Sequence, residues 1–352
     1  MTQARLAHRL QHLGTTVFAE MSALAVRTGA INLGQGFPDT DGPSEVAEAA
    51  VAAIRDGHNQ YPPGPGIPAL RQAIAEHQAR FWGVAVDPDR EVLVTAGATE
   101  AITAALLALC ETGDEVLTFE PTYDSYRAAA AMAGATLRVV RLEPPDHAVD
   151  TDALAAAVTA RTRLVLLNSP HNPTGKVFST EELDAVARLC VEHDLLAVTD
   201  EVYEHITFDG RTHRPLATLP GMADRTLTIS SAGKTFSFTG WKIGWACGPA
   251  ALVEAVRTAK QFLTYVSGAP LQPAVAVGLG LGDDYFAALR SSLMAKRDLL
   301  CDGLEKVGFT VHRPAGTYFA TVDVRSLGFD DGVTFCRVVP ERCGVVAVPS
   351  SA

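Results

Sequence analysis

Between Glu91 and about Gly248 the chain alternates short β-branched and aliphatic runs with alanine-rich stretches of helical period. Glu91 to Thr95 reads as a strand and Thr99 to Leu109 as the helix after it. The pair recurs as Glu115 to Phe119 with Tyr123 to Ala133, and as Thr136 to Leu142 with Asp152 to Val158. It continues through Leu164 to Leu167, Glu181 to Glu192, Leu195 to Thr199, Thr226 to Ile229, Ile243 to Ala246 and a helix from Ala250 to about Lys260. Strand runs that are apolar nearly throughout belong in a sheet buried on both faces. The predicted fold class is therefore α/β, a mainly parallel sheet with helices on both faces. After about Gly282 the pattern changes to a long charged helix, Tyr285 to Lys306, then short strands at Thr310 to Arg313, Tyr318 to Val324 and Val345 to Val348, which predicts a second, smaller α+β domain. Gly34 to Pro38 and Tyr61 to Gly66, rich in Gly and Pro, predict fixed loops.

Composition narrows the function classes. The 352 residues are 47% hydrophobic and 20% charged, enough apolar material for a sizeable core. A formal charge of −11 argues against nucleic acid or an anionic membrane surface as the partner. No apolar run approaches the length that spans a bilayer, and the N-terminus lacks the apolar core of a secretory signal. The six cysteines form no C-x-x-C pair, so neither a zinc site nor a disulfide framework is expected, and the reducing cytoplasm is the expected compartment.

In an open α/β sheet, ligands bind beyond the carboxyl ends of the strands, and the unusual residues of this chain collect there. Lys234 lies in Ser230-Ser231-Ala232-Gly233-Lys234-Thr235, with no acid between Asp224 and Glu254 and a second amine, Lys242, eight residues on. Low local negative charge lets an amine lose its proton and attack an aldehyde; alone, the segment also fits a solvated loop lysine. Gly97-Ala98-Thr99-Glu100 opens a helix directly after a strand and offers free N–H groups to a phosphate, though the same residues serve as an ordinary cap. Asp200, at a strand end, would keep a facing heteroaromatic nitrogen protonated. Opposite charges about 4 Å apart gain about 4 kcal/mol at an effective dielectric of about 20, equivalent to about three pKa units. As a plain turn cap it would do none of this. The turn His171 to Gly175 frees the Asn172 amide, and Tyr123 at a strand end could lie flat on a ring or pack in the core. Gly278 to Gly282 lacks the context of a nucleotide motif and reads as a plain loop.

Taken together and in order, Asn32 to Asp39, Asn59 to Gly64, Ser169 to Gly175, Thr199 to Tyr203 and Ser230 to Lys234 make the chain resemble the class I pyridoxal-phosphate aminotransferases of fold type I. Within them it is most similar to the kynurenine/glutamine aminotransferases and the actinobacterial N-succinyldiaminopimelate aminotransferases. The resemblance implies pyridoxal 5'-phosphate as cofactor, amino acid and 2-oxo acid substrates, and a homodimer. It implies that Lys234 is the Schiff-base lysine and later the proton-transfer base, that Asp200 pairs with the pyridine nitrogen, and that Asn172 and Tyr203 hydrogen-bond the ring hydroxyl. Tyr123 would stack on the ring. Gly97, Ala98, Thr99, Ser231 and Lys242 would hold the phosphate, with Tyr61 reaching across from a second subunit. Gly36 would meet the substrate carboxylate through its backbone, and Phe37 and Tyr265 would line the side-chain pocket. The implied organisation is an N-terminal arm and shared segment over 1–45, a large cofactor-binding domain over 46–282 and a small C-terminal domain over 283–352.

The family pattern continues through another strand and helix with a carboxylate-binding arginine, whereas no arginine follows Arg342 here, so a truncated small domain is expected. Arg313, Arg325 and Arg342 are the candidates for a substitute clamp. Two alternatives to transamination follow: a cysteine-conjugate β-lyase using the same lysine, and a homologue that holds the cofactor with impaired catalysis.

Overall fold

The computed structural model describes residues 7–350 apart from positions 12, 15, 35 and 39. Gln35 and Asp39 of the first motif, and the terminal Ser351 and Ala352, lie outside the described residues. The chain opens with α1 (Val17–Thr28), β1 (Ile31–Asn32), α2 (Ser44–Arg55) and α3 (Pro68–His77). The central unit follows as β2 (Val92–Thr95), α4 (Gly97–Leu109), β3 (Glu115–Glu120), α5 (Asp124–Ala133), β4 (Thr136–Arg141), α6 (Thr151–Ala156), β5 (Thr162–Asn168), α7 (Thr180–Glu192) and β6 (Leu196–Asp200). It ends with β7 (Thr226–Ser231), the one-turn α8 (Ala232–Thr235), β8 (Gly244–Cys247), α9 (Ala250–Lys260) and α10 (Leu271–Leu279). Then come α11 (Asp283–Lys306), β9 (Thr310–His312), β10 (Thr321–Asp323), α12 (Gly332–Cys343) and β11 (Val345–Val346).

Seven strands form one sheet in the order β2-β8-β7-β6-β5-β3-β4. All pairs are parallel except the two made by β8. The link from β7 to β8 holds α8 and a single 3-10 turn, with no helix long enough to cover the sheet, and β8 returns antiparallel. The continuous apolar runs are explained by burial on both sides. In β5, Leu164 and Leu166 join the core under α4, α5 and α9, while Val165 and Leu167 join the core under α7. Successive residues point to opposite faces, so a strand covered on both must be apolar at every position.

The C-terminal elements form a separate layer. β9 and β10 pair antiparallel, and β11 pairs parallel with β1 through Ile31 to Val345 and Asn32 to Val346. Met21 and Ala25 of α1 accordingly share a core with Phe335, Cys336 and Val346.

Three features differ from the sequence reading. The strand expected from Tyr318 begins only at Thr321, because Gly316 to Phe319 turn and Thr317 there takes φ +64. Gly278 lies inside α10 rather than in a loop; a Cβ there would meet Phe236 and Val46 at 3.2 Å, so the glycine lets α10 pack closely on α2 and α8. Helix α12, carrying Val333, Thr334, Val338, Val339 and Pro340, forms despite weak intrinsic propensity, its Asp331 cap accepting from Thr334 N at 2.8 Å.

Glycine is indispensable where β8 passes the start of α4. A Cβ on Gly244 would stand 2.6 Å from the Gly97 carbonyl carbon and 2.8 Å from Ala98 N, both backbone atoms that cannot step aside. A Cβ on Gly303, within α11, would meet no atom within 4 Å. The same substitution should therefore act with opposite signs: Gly244→Ala lowers stability by about 2 kcal/mol through overpacking, and Gly303→Ala raises it by about 0.5–1 kcal/mol through helix propensity. Urea unfolding midpoints of the two variants check this.

Candidate active site

The carboxyl ends of β5, β6 and β7 and the amino end of α4 surround a cleft of about 1360 Å³. Of the residues singled out from sequence, Gly36, Phe37, Gly97, Ala98, Thr99, Tyr123, Asn172, Asp200, Tyr203, Ser231, Lys234 and Lys242 all line it. Tyr61 and Tyr265 do not. Their rings meet edge-on at 5.6 Å on the outside of the chain, and Tyr61 is 82% exposed. Tyr265 is therefore not part of the pocket wall of its own chain, contrary to expectation.

Each side chain is set by its element. Asp200 is the last residue of β6, buried between Asn168 of β5 and Ile229 of β7. Tyr126 donates to its Oδ2 at 2.6 Å, and Asn168 Nδ2 donates to its main-chain oxygen at 2.8 Å. Asn168 Oδ1 also accepts from Asn172 N at 2.6 Å, which ties the His171 to Gly175 turn to the end of β6. Lys234 is placed by α8, directly after β7. Its Nζ donates to Gly36 O at 3.0 Å and to Tyr318 Oη at 2.9 Å.

Burial decides the charge states. It lowers the Lys234 amine to about 8, with nearby Lys242 acting in the same direction and Asp200 opposing. Burial raises the Asp200 carboxyl, against the hydrogen bonds from Tyr126 and Val202 and the attraction of Lys234. Both groups thus give up hydration, and besides their direct hydrogen bonds the charge of each favours the ionised form of the other.

At the start of α4 no side chain caps the helix, and Gly97 takes φ +76. A Cβ on Gly97 would fall 3.1 Å from Lys242 Nζ, so the glycine opens the space in which that ammonium faces the uncapped N–H groups. Glu100 is turned away from this concavity: it accepts from Ala96 N at 2.6 Å and from the Thr264 hydroxyl. Uncapped N–H groups, a helix N-terminus and a lysine together form an anion site.

Sequence reasoning missed Tyr126 and Tyr318. Tyr126 lies in the first turn of α5, behind its N-cap residue Tyr123, and Tyr318 in the turn that begins at Gly316; neither contact has a local signal in the sequence. The Gly36 carbonyl is occupied by Lys234 and Tyr318, and its N–H is the backbone group of the polarity a carboxylate needs. Of the three candidate clamp arginines, Arg325 alone lines the cleft and is bound to Asp323; Arg313 is held by Asp298, Asp302 and Glu305.

Behind the site, His77, Glu204 and His205 bring buried ligand-type atoms within 4.8 Å of one another. The two Nε2 atoms are 2.8 Å apart, whereas two imidazoles on one tetrahedral zinc hold their nitrogens about 3.3 Å apart. The pair is one hydrogen bond between neutral rings, with burial lowering His77 to about 3.

Comparison with known proteins gives the family. Residues 28–352 match the family model for aminotransferase class I and II. A probable N-succinyldiaminopimelate aminotransferase of Mycobacterium tuberculosis is 59% identical over 346 residues, 98% of this chain and 87% of the relative. The methionine aminotransferase of Escherichia coli is 41% identical over 343 residues, 97% of this chain and 89% of the relative. The solved structure of the Mycobacterium tuberculosis N-succinyldiaminopimelate aminotransferase superposes with a TM-score of 0.96 at 58% identity, covering 97% of this chain and 90% of that one. The chain belongs to the class I and II aminotransferase family and has its α/β fold type I architecture.

Proposed function

We propose that this aminotransferase works with pyridoxal 5'-phosphate held by Lys234, and that its amino donor is an acidic, extended amino acid of the N-succinyldiaminopimelate kind. The observation that carries the cofactor assignment is the arrangement of a buried amine, a buried carboxylate and a backbone anion cradle around one cleft. The fit of the cradle rests on Gly97, where any Cβ would fill the space beneath Lys242. Gly97, Ala98, Thr99, Ser231 and Lys242 would hold the phosphate, Asp200 the ring nitrogen, Asn172 and Tyr203 the ring hydroxyl, and Tyr123 one face of the ring. When bound, the cofactor supplies an aldehyde for amine exchange and a ring that accepts electrons from the substrate Cα.

The chain's own groups do the rest. Asp200, fixed by Tyr126, would keep a proton on the ring nitrogen it holds, because a buried carboxylate gains most from a cationic partner. Lys234 would hold the cofactor through its amine, and as a free amine it would be the base that carries the proton between the substrate Cα and the cofactor carbon. With its pKa near 8, about a tenth of the amine is neutral at pH 7, against about one part in three thousand for an ordinary lysine.

For the donor, identity with the mycobacterial relative is the main support. Within the cleft, Arg141 and Arg325 are paired with Glu120 and Asp323, while Arg127 on α5 pairs with no carboxylate among the described residues. Arg127 would meet a distal carboxylate. Phe37 and Phe319 give the cleft an apolar wall as well, which favours methionine or kynurenine as a second reading; kcat/KM for the succinylated donor against methionine separates the two. We also propose a homodimer in which the exposed Tyr61 and Tyr265 turn toward the neighbouring subunit's site, and the division into 1–45, 46–282 and 283–352. A cytoplasmic location accords with the free thiols and with no helix among the described residues being long and apolar enough to cross a membrane.

Lys234→Ala should lose the visible absorbance of the lysine-bound cofactor and all but background turnover together, while Asp200→Asn should keep the absorbance and lose turnover by about 10²-fold or more; normal turnover in the lysine variant would sink the assignment. Capture of added cofactor by cofactor-free protein needs the neutral amine. Its rate should rise about tenfold per pH unit below about 8 and level above that; stopped-flow absorbance measures it, and a rise continuing beyond about pH 10 would contradict the burial of Lys234.

A further inference from the structure

Tyr318 comes from the turn ahead of β10, where Thr317 is fully buried at φ +64. Its hydroxyl donates to Gly36 O, and Lys234 Nζ bonds both partners, at 3.0 Å to Gly36 O and 2.9 Å to Tyr318 Oη. A phenol has one proton. Burial holds the phenols of Tyr318 and Tyr203 above their ordinary value, so that proton stays in place and is committed to the Gly36 carbonyl. Lys234 must therefore be the donor in its contact with Tyr318. A neutral amine has two N–H groups and one lone pair, and these two contacts use both N–H groups.

We propose that Tyr318 is a positioning residue for Lys234: its hydroxyl and the Gly36 carbonyl take the two N–H groups of the free amine and leave the lone pair directed at the reacting carbon. This rests on the reading of Lys234 as the proton-transfer base. Three parts of the chain meet at this point, Gly36 from the N-terminal segment, Lys234 from the end of β7 and Tyr318 from the C-terminal layer. The ring of Tyr318 packs edge-on against Tyr203 at a centroid distance of 5.3 Å, which fixes the direction of its hydroxyl. Without the hydroxyl the amine keeps one anchor and rotates about it.

The test is Tyr318→Phe, which keeps the ring and its packing. Three quantities are read on full-length protein: the rate of the amino-donor half-reaction in the cofactor-loaded enzyme, its KM, and the pH midpoint for trinitrophenylation of Lys234 in cofactor-free protein, followed by peptide mass spectrometry. The hydroxyl oxygen accepts from the amine and favours its charged form, so its loss should move the midpoint below about 8 by about one pH unit. The half-reaction should slow by about tenfold or more with KM nearly unchanged, and the cofactor absorbance should remain. A wild-type midpoint and half-reaction rate overturn the proposal, as does a lowered Tm with the midpoint unmoved, which would make Tyr318 a packing residue only. Tyr318→Leu, which removes the ring as well as the hydroxyl, should slow the half-reaction at least as much; a half-reaction slowed only in that variant likewise overturns the hydroxyl's role. Turnover by Lys234→Ala would instead remove the base assignment itself, an outcome distinguishable from failure of the Tyr318 variants.

Discussion

The opposition of one buried amine to one buried carboxylate is the constraint around which the rest of the structure is arranged. Asp200 ends β6 and Lys234 follows the neighbouring parallel strand β7 in α8, and each is moved from its ordinary pKa chiefly by burial. An isolated charge at either position would be costly, and it is the other charge and the hydrogen bonds from Tyr126 and to Gly36 that hold both in place. On the proposed reading Asp200 would pair with the cofactor's ring nitrogen and Lys234 would hold its aldehyde carbon, so that both groups would gain a partner.

Parallel topology supplies this pair at little conformational cost. Strands of one direction end on one edge, and α4 begins there without a side-chain cap on its first turn, so an acid, an amine and an anion cradle converge without a long loop. The cradle is completed from elsewhere by the antiparallel β8: Gly244 lets that strand touch the first turn of α4, and Lys242, two residues earlier with φ +54, places its ammonium over Gly97. The fold and the anion site therefore share the same backbone contact.

Much of this is legible in the sequence because it is local. Strand ends are visible as the close of an apolar run, which locates Asp200 and Lys234, and the Gly97-Ala98-Thr99 turn announces itself by composition. What is not legible depends on distant contacts. Tyr126 reaches Asp200 across 74 residues and Tyr318 reaches Gly36 across 282, and no periodicity encodes either. Helix α12 escapes the sequence reading for the related reason that its β-branched residues favour strand locally and are held helical by the core they share with α1 and β11. Tyr61 and Tyr265 stand out in the sequence, yet their place beside each other on the surface is a property of the folded chain that the resemblance alone could not give.

The most direct measurement of the central claim is the absorbance spectrum of the purified chain with pyridoxal 5'-phosphate, before and after excess N-succinyldiaminopimelate, and again after 2-oxoglutarate. The account predicts a visible band from lysine-bound cofactor that the donor converts to the aminated form and the oxo acid restores. A chain that develops no band, or a band that no amino donor alters, would contradict it.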